Sequence, residues 1–471
     1  MPAQTSSSFL TKLTFVATLG GLLFGYDTAV ISGTVASLEH FFVLPRGLDE
    51  LSANSLLGFV VSSALIGCII GGLSGGWITK KLGRKNGLML AACLFLISAL
   101  GSAMPEMFLK PIGEADHTFI NLFVLYRIIG GIGVGLASML SPLYIAEIAP
   151  ARIRGRLVSM NQFAIILGML IVYFINYFIA RQGSDEWLYT TGWRWMFASE
   201  VIPASLFLLL LLFVPDTPRS LVLKSKPEKA LRILQKINGR EIAQKILADI
   251  QQSIGTTASG KLLSYGIGVL LIGVLISAFQ QFVGINVVLY YAPEIFKNMG
   301  SGTDTALLQT IIVGAVNLLF TVLAIMTVDK FGRKPLMIIG AVGMAVAMLT
   351  LGTAFYLQSM GIGALLAMLL YVASFAMSWG PVAWVLLAEI FPNKIRGQAL
   401  AIAVAAQWIS NYLVSWTFPI MNNNSYLVEN FHNGFAYWVY GIISILAALF
   451  VWKYIPETKG KTLEEMEAFW K

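Results

Sequence analysis

Charge is what this sequence lacks. Only 12% of its 471 residues are Asp, Glu, Lys or Arg, against roughly a quarter in soluble globular chains. A chain this long would otherwise fold as two or three soluble domains, so the shortfall excludes an ordinary cytosolic enzyme. Cysteine is scarce as well. Cys68 and Cys93 both fall inside apolar runs, which leaves no disulfide framework and no cysteine-based metal site. The three histidines, His40, His117 and His432, lie far apart and supply no metal-ligand spacing. No P-loop pattern occurs, so direct ATP drive is not expected. The run GGIGVG (130–135) lies in an apolar stretch that follows no strand, and reads as close helix packing through small residues, as at Gly21–Gly25 and Gly67–Gly71, rather than a dinucleotide loop. No nucleophile, metal or phosphate constellation remains, and neither an enzyme nor a cofactor is expected.

In place of charge there is apolar length: 57% of the residues are hydrophobic and the mean hydropathy is +0.76. A helix needs about 20 such residues to cross roughly 30 Å of hydrocarbon. Twelve stretches qualify, near 10–33, 54–78, 87–104, 121–146, 157–179, 193–214, 262–296, 305–328, 335–357, 361–388, 398–420 and 432–454. Gly284 and Gly380–Pro381 predict breaks in the seventh and tenth. The first has Lys12 as its only upstream basic residue, no small-x-small exit, and Asp27 within it, so it reads as a mature helix rather than a signal peptide.

The net charge of +8 belongs to topology rather than to a nucleic-acid partner. Arg46, Lys110, Arg181, Arg194 and Lys297 sit on one side of the membrane and Arg127 inside it, while all others of the 32 Lys and Arg sit on the opposite side. Cytoplasmic loops hold such an excess, which places both termini in the cytoplasm. The one long polar stretch, 215–261, has apolar positions at helical spacing beneath charged ones over 227–252. It predicts one or two short amphipathic helices on the cytoplasmic face, acting as a linker rather than a calmodulin or lipid target. The expected organisation is a first bundle over 1–214, the linker 215–261, a second bundle over 262–454 and a tail over 455–471.

The two halves are copies. PLYIAEIAPARIRGR (142–156) recurs as WVLLAEIFPNKIRGQ (384–398), so Glu147 and Arg154 correspond to Glu389 and Arg396. WITKKLGRKNGL (from 77) recurs as IMTVDKFGRKPL (from 325), and PDTPRSL (215–221) echoes PETKGKTL (from 456). The same order after an even number of spans makes a parallel repeat about an axis along the membrane normal, with a substrate cleft expected between the halves. Aligning LFGYDTAV (23–30) with FVGINVVL (282–289) sets Asp27 opposite Asn286. The symmetry is therefore broken by one ionisable group.

GGLLFGYDTAVISG, the paired GRK loops, YRIIGGIGVG, the two AE-x5-RG segments, PDTPR, QQFVGINVVLYYAPEIF and PETKGKTLEE together resemble the sugar-porter branch of the major facilitator superfamily. The likeness covers nearly the whole chain and is closest, through QFVGINVVLYYAPEIF, MSWGPVAWVLLAEIFPN and AVAAQWISNY, to the bacterial D-xylose:proton symporters. It implies an all-α membrane fold of twelve helices in two six-helix bundles, with inverted three-plus-three repeats inside each. The implied activity is proton-coupled import of a monosaccharide, D-xylose first, by alternating access, as a monomer in the plasma (inner) membrane. Three departures stand out: Lys80 where the first GRK loop usually carries an acid, which Asp329 supplies in the second; PDTPRS for the commoner PESPRW; and a shortened external loop near 105–120. The first puts part of an inner ion-pair network in doubt.

Asp27, Arg127 and Glu200 are the charges within spans. Each costs about 2.5–3.5 kcal/mol to insert and is expected to face a cavity or a partner. Counted inward from the external ends of their spans at 1.5 Å per residue, all three lie roughly 9–11 Å deep and can meet. Asp27 is expected to carry the proton, with Arg127 controlling its protonation and Glu200 either a coupling residue or a packing partner; a static buried ion pair is the alternative. Passive members of the branch typically have Asn at the position of Asp27, which argues against the rival reading of an uncoupled carrier. A sugar sensor, the third reading, would carry a long cytoplasmic tail where this chain has only residues 455–471.

An uncharged polyol needs amide hydrogen bonds and an apolar wall, and the spans contain both. By resemblance, Gln162, Gln280, Gln281, Asn286, Trp384 and Gln407 would bond sugar hydroxyls, while Phe24, Tyr290, Asn317, Gly380 and Trp408 would shape the pocket and its gate. Gln407 stands where glucose carriers often have Asn, and its longer side chain suits a pentose. On the cytoplasmic side Arg84, Glu147, Arg154, Asp329, Arg333, Glu389 and Arg396 are expected to form an inner gate of ion pairs that is intact when the carrier faces out.

Overall fold

The computed structural model describes residues 7–255, 262, 265–392 and 395–459, and every regular element among them is a helix. Eleven helices are long and apolar enough to cross a membrane. The longest, Glu50–Ala103, is two spans: Gly83 sits at φ 83°, ψ −177°, outside helical space. Twelve spans result: α1 Ser7–Ala29, α2 50–82, α3 84–103, α4 Ile120–Ile148, α5 Arg154–Ala180, α6 Asp185–Leu212, α7 Ile267–Tyr290, α8 Thr303–Phe331, α9 Arg333–Tyr356, α10 Ile362–Ile390, α11 Arg396–Asn423 and α12 Phe435–Tyr454. The expected loop between the second and third spans is thus a single residue. Its copy Gly332, at φ 89°, separates α8 from α9 in the same way.

A Cβ on Gly83 would strike Lys224 Nζ, Asp216 Oδ2 and Ser220 Oγ, whereas one on Gly76 would meet nothing within 4 Å. Gly83→Ala therefore adds backbone strain to a steric clash and is expected to cost about 1–3 kcal/mol. Thermal unfolding in detergent, with Gly76→Ala as the near-neutral comparison, checks this.

Breaks fall where the sequence offers glycine or proline, with one shift. α7 gives way after Phe282, Gly284 takes φ 93°, and a short segment Ile285–Tyr290 follows. In α10 the break comes at Ser378 (φ −131°, ψ −91°) rather than at Gly380–Pro381. Pro381 stands in the first turn of the new segment Trp379–Ile390, where its missing N–H costs nothing, so the interruption has to precede it. α6 begins earlier than the predicted 193 and turns at Ser199–Glu200. The linker folds into Pro227–Asn238 and Arg240–Gly255, and residues beyond 459 lie outside those described.

Within the first half, α2 and α4 approach at backbone distance. A Cβ on Gly67 would run into the Ile128 carbonyl, and one on Gly131 into that of Ala64, so the small residues are packing positions. The halves meet along α2 with α11 and α5 with α8. Hydrogen bonds between the halves, among the described residues, avoid the end that carries the basic loops. At the far end Ser425 N–H donates to Glu50 Oε1 at 2.6 Å, Asn423 Nδ2 to Asn54 Oδ1 at 3.1 Å and Trp416 Nε1 to the Ser55 carbonyl at 3.1 Å.

Candidate functional site

The three intramembrane charges meet. Arg127 Nη1 donates to Asp27 Oδ1 at 2.8 Å and Nη2 to the Asp27 carbonyl at 3.1 Å, and the guanidinium lies 5.3 Å from the Phe197 ring centroid. Asp27 and Glu200 are 0% exposed and Arg127 1%. Glu200, at the turn of α6, lies within electrostatic reach of both partners and within hydrogen-bonding reach of the Asp27 carboxyl, yet both its oxygens and Asp27 Oδ2 are buried and take no bond from Arg127 or any other donor group. Two carboxylates then share one cation. Ionised throughout, the group would carry a net negative charge in low dielectric, and a single proton neutralises it.

A chain of amides lies across the second half. Asn286 Nδ2 donates to Gln281 Oε1 at 2.5 Å, Gln281 Nε2 to Gln280 Oε1 at 3.4 Å, and Gln407 Nε2 to the same Gln280 oxygen at 2.5 Å. Gln280 Nε2 in turn donates to the carbonyls of Trp379 and Gly380 at 2.8 and 3.2 Å, at the start of the segment that follows the break in α10. The break at Gly284 brings Asn286 back onto Gln281, which a straight helix would not do. Phe24 of α1 meets Trp408 of α11 at 5.7 Å between ring centroids. Phe24 and Asp27 are three residues apart on one helix face, so the aromatic wall and the charged group are one helical turn from each other.

Not every expected lining residue joins this chain. Gln162 is half-buried and Asn317 buried, without hydrogen bonds to the amides, and Trp384 remains 37% exposed. Tyr290 is buried and accepts from Asn411 Nδ2 at 3.5 Å, and Asn411 Oδ1 accepts from Ser415 Oγ at 3.1 Å. Asn411 and Ser415 had no sequence signal beyond being polar in an apolar helix.

At the basic end the repeat builds two matching clamps. Arg84 Nη2 bonds Glu147 Oε1 at 2.7 Å while Thr217 Oγ1 donates to Glu147 Oε2 at 2.5 Å. In the second half Arg333 Nη2 bonds Glu389 Oε1 at 2.8 Å and Thr458 Oγ1 donates to Glu389 Oε2 at 2.6 Å. Asp216 Oδ1 accepts from the backbone N–H groups of Arg84 and Lys85, as Glu457 does from those of Arg333 and Lys334. Both pairs tie helices of the same half, and they are intact while the far end is closed. Arg154 and Arg396 donate to the matching carbonyls of Ala149 and Phe391, and the Asp329 side chain lies outside the described residues. Lys80 is exposed, and the first clamp assembles without an acid there. Asp216, Thr217, Glu457 and Thr458 were visible only as the echo between PDTPRSL and PETKGKTL.

Burial pushes the Asp216 carboxyl up, but bonds from Lys224, Ser220 and the Lys85 N–H outweigh it and hold the group below its ordinary 3.8. The Glu457 carboxyl is likewise held down by the N–H groups of Lys459, Arg333 and Lys334 against burial. A depressed carboxylate contributes stability above its unfolded value and loses it only as pH falls through the folded one. Asp216 and Glu457 therefore stay ionised at neutral and mildly acidic pH.

A family model described as sugar (and other) transporter matches residues 13–470. The chain belongs to this family. Within the sugar transporter family it is 65% identical to the D-xylose-proton symporter of Escherichia coli (strain K12), over 100% of this chain and 97% of the relative. It superposes on the inward open conformation of the xylose transporter XylE from E. coli with a TM-score of 0.90 at 62% identity, covering 98% of this chain and 100% of that one. Against the proton:xylose symporter XylE bound to 6-bromo-6-deoxy-D-glucose the TM-score is 0.85, at 64% identity and 99% and 100% coverage. This sugar transporter is thus a multi-pass membrane protein of the major facilitator fold and not an enzyme, and its backbone is nearer the first of those two structures.

Proposed function

We propose that the chain imports D-xylose together with a proton by alternating access, as a monomer in the lipid bilayer of the plasma (inner) membrane. Residues 1–214 and 262–454 act as the two moving bundles, joined by 215–261 and followed by the tail 455–471. The basic end is cytoplasmic with both termini, and the far end is external; the cross-half bonds there make the present arrangement inward-facing. The observation that carries the reading is a wholly buried Asp27–Arg127–Glu200 group one helical turn from the Phe24–Trp408 aromatic contact, in a chain that also links the Gln280, Gln281, Asn286 and Gln407 amides.

In the inward-facing arrangement Arg127 sits on an ionised Asp27. When Asp27 takes a proton, Arg127 is free to turn to Glu200, so the buried group becomes neutral while α1 changes its tie to α4. Phe24 moves with Asp27 because both ride on α1, and its contact with Trp408 passes that movement to the sugar wall. The amides of Gln280, Gln281, Asn286, Gln407 and Gln162 bind sugar hydroxyls, with Trp384 and Trp408 as flanking rings. Gln407 reaches Gln280 and fills space that a larger hexose would need.

Vesicle uptake of labelled xylose, glucose and arabinose, with and without an imposed pH gradient, tests the reading. Gradient-dependent accumulation of xylose above the other two is expected, and its absence for every sugar contradicts proton coupling. Gln280→Ala removes the acceptor shared by Gln281 and Gln407. Leaving buried donors unpaired costs about 1–3 kcal/mol, so xylose binding is expected to weaken roughly ten- to a hundred-fold. Titration calorimetry reads this, and unchanged affinity would move the sugar elsewhere.

A further inference from the structure

Proline at 293 stands in the first turn of the segment Ala292–Asn298 that follows α7. It has no N–H, so the carbonyl four residues earlier, that of Leu289, loses its helical donor. That carbonyl is met by a hydroxyl from the other half. Tyr173 Oη of α5 donates to the Leu289 oxygen at 2.9 Å, with both residues buried. The Tyr173 ring is held between elements of the second half, since a Cβ on Gly314 of α8 would come within 2.8 Å of it.

The repeat shows that this arrangement is not incidental. In the alignment of 23–30 with 282–289, Leu289 corresponds to Val30, where α1 gives way to a tighter turn over Val30–Gly33. The Val30 carbonyl is also met from α5, by Asn176 Nδ2 at 3.2 Å. Tyr173 and Asn176 are three residues apart on one face of α5. That face thus holds the broken ends of both first helices of the repeat, α1 from its own half through Asn176 and α7 from the opposite half through Tyr173. Only the second bond has to break when the bundles separate externally.

We propose that Tyr173 is a positioning residue that latches the external half of α7 shut, its hydroxyl bonding the carbonyl that Pro293 leaves free. Opening the external side exposes that carbonyl to water, and closing it returns the carbonyl to Tyr173. The latch sets how the carrier divides its time between its two faces, without touching sugar or proton. It rests on the alternating-access reading, but its test measures a distance and not transport, so the two can fail separately.

Spin labels at Glu114→Cys and Glu429→Cys, exposed external positions on the two halves, in a Cys93→Ser background, report the external opening by pulsed electron resonance. Tyr173→Phe keeps the ring and deletes the hydroxyl. Losing one buried hydrogen bond is expected to raise the open-to-closed ratio roughly three- to tenfold, with the melting temperature close to that of the parent. Pro293→Ala restores an N–H for the Leu289 carbonyl, so in that background Tyr173→Phe is expected to change the ratio less than about twofold. A distance distribution in Tyr173→Phe that matches the parent overturns the latch. So does an equal shift in both backgrounds.

Discussion

Asp27→Asn is expected to abolish accumulation of xylose against its gradient while leaving xylose exchange across the membrane in place. The substitution keeps the size of the side chain and its ability to accept from Arg127, so the buried site survives, but it has no proton to load or release. One charge moved through the membrane field is worth about 2.3 kcal/mol per 100 mV, which corresponds to roughly a fifty-fold concentration ratio. The expected result is therefore a fall of the steady-state ratio from tens towards one, with counterflow of labelled xylose preserved. Accumulation that persists in Asp27→Asn moves the proton to Glu200, whose two carboxylate oxygens are buried and take no bond from a donor group.

Arg127→Met is expected to have the largest effect on stability. It leaves Asp27 and Glu200, both 0% exposed, without a counter-charge, and breaking such a pair from one side costs about 3–5 kcal/mol. The loss belongs to the uncompensated carboxylates rather than to the missing arginine. Adding Asp27→Asn to Arg127→Met is accordingly expected to recover more than half of it, because one buried charge goes with the other. Thermal unfolding of the four proteins in one detergent gives the cycle. Equal melting temperatures for wild type and Arg127→Met would mean that the group is held neutral without Arg127, and additive losses would mean that the pair does not act as a unit.

The spans were legible in the sequence because apolar length is a property of the chain alone, and so was the break at Gly284, since an interrupted membrane helix needs a residue that tolerates it. The meeting of Asp27, Arg127 and Glu200 followed from equal depth below one surface. So did the pairing of Arg127 with Asp27, whereas the absence of a bond from Arg127 to Glu200 did not, because that depends on side-chain direction around a turn at Ser199–Glu200 that hydropathy does not reveal. The clamps were half legible. The repeat paired Glu147 with Glu389 and PDTPRSL with PETKGKTL, but only the folded chain brings Thr217 and Thr458 onto those carboxylates. Tyr173, Asn411 and Ser415 were not legible at all: a lone polar side chain in an apolar helix serves an interhelical bond as readily as a ligand, and the bond of Tyr173 is to a backbone carbonyl that carries no side-chain signature.

The coupling of sugar to proton is tested most directly by proton movement itself. Purified protein in sealed liposomes with a trapped pH dye, given D-xylose on one side and no imposed gradient, is expected to acidify the lumen as the sugar enters, at a rate that follows xylose uptake and disappears in Asp27→Asn. Xylose entry at full rate with no change in lumenal pH would contradict it.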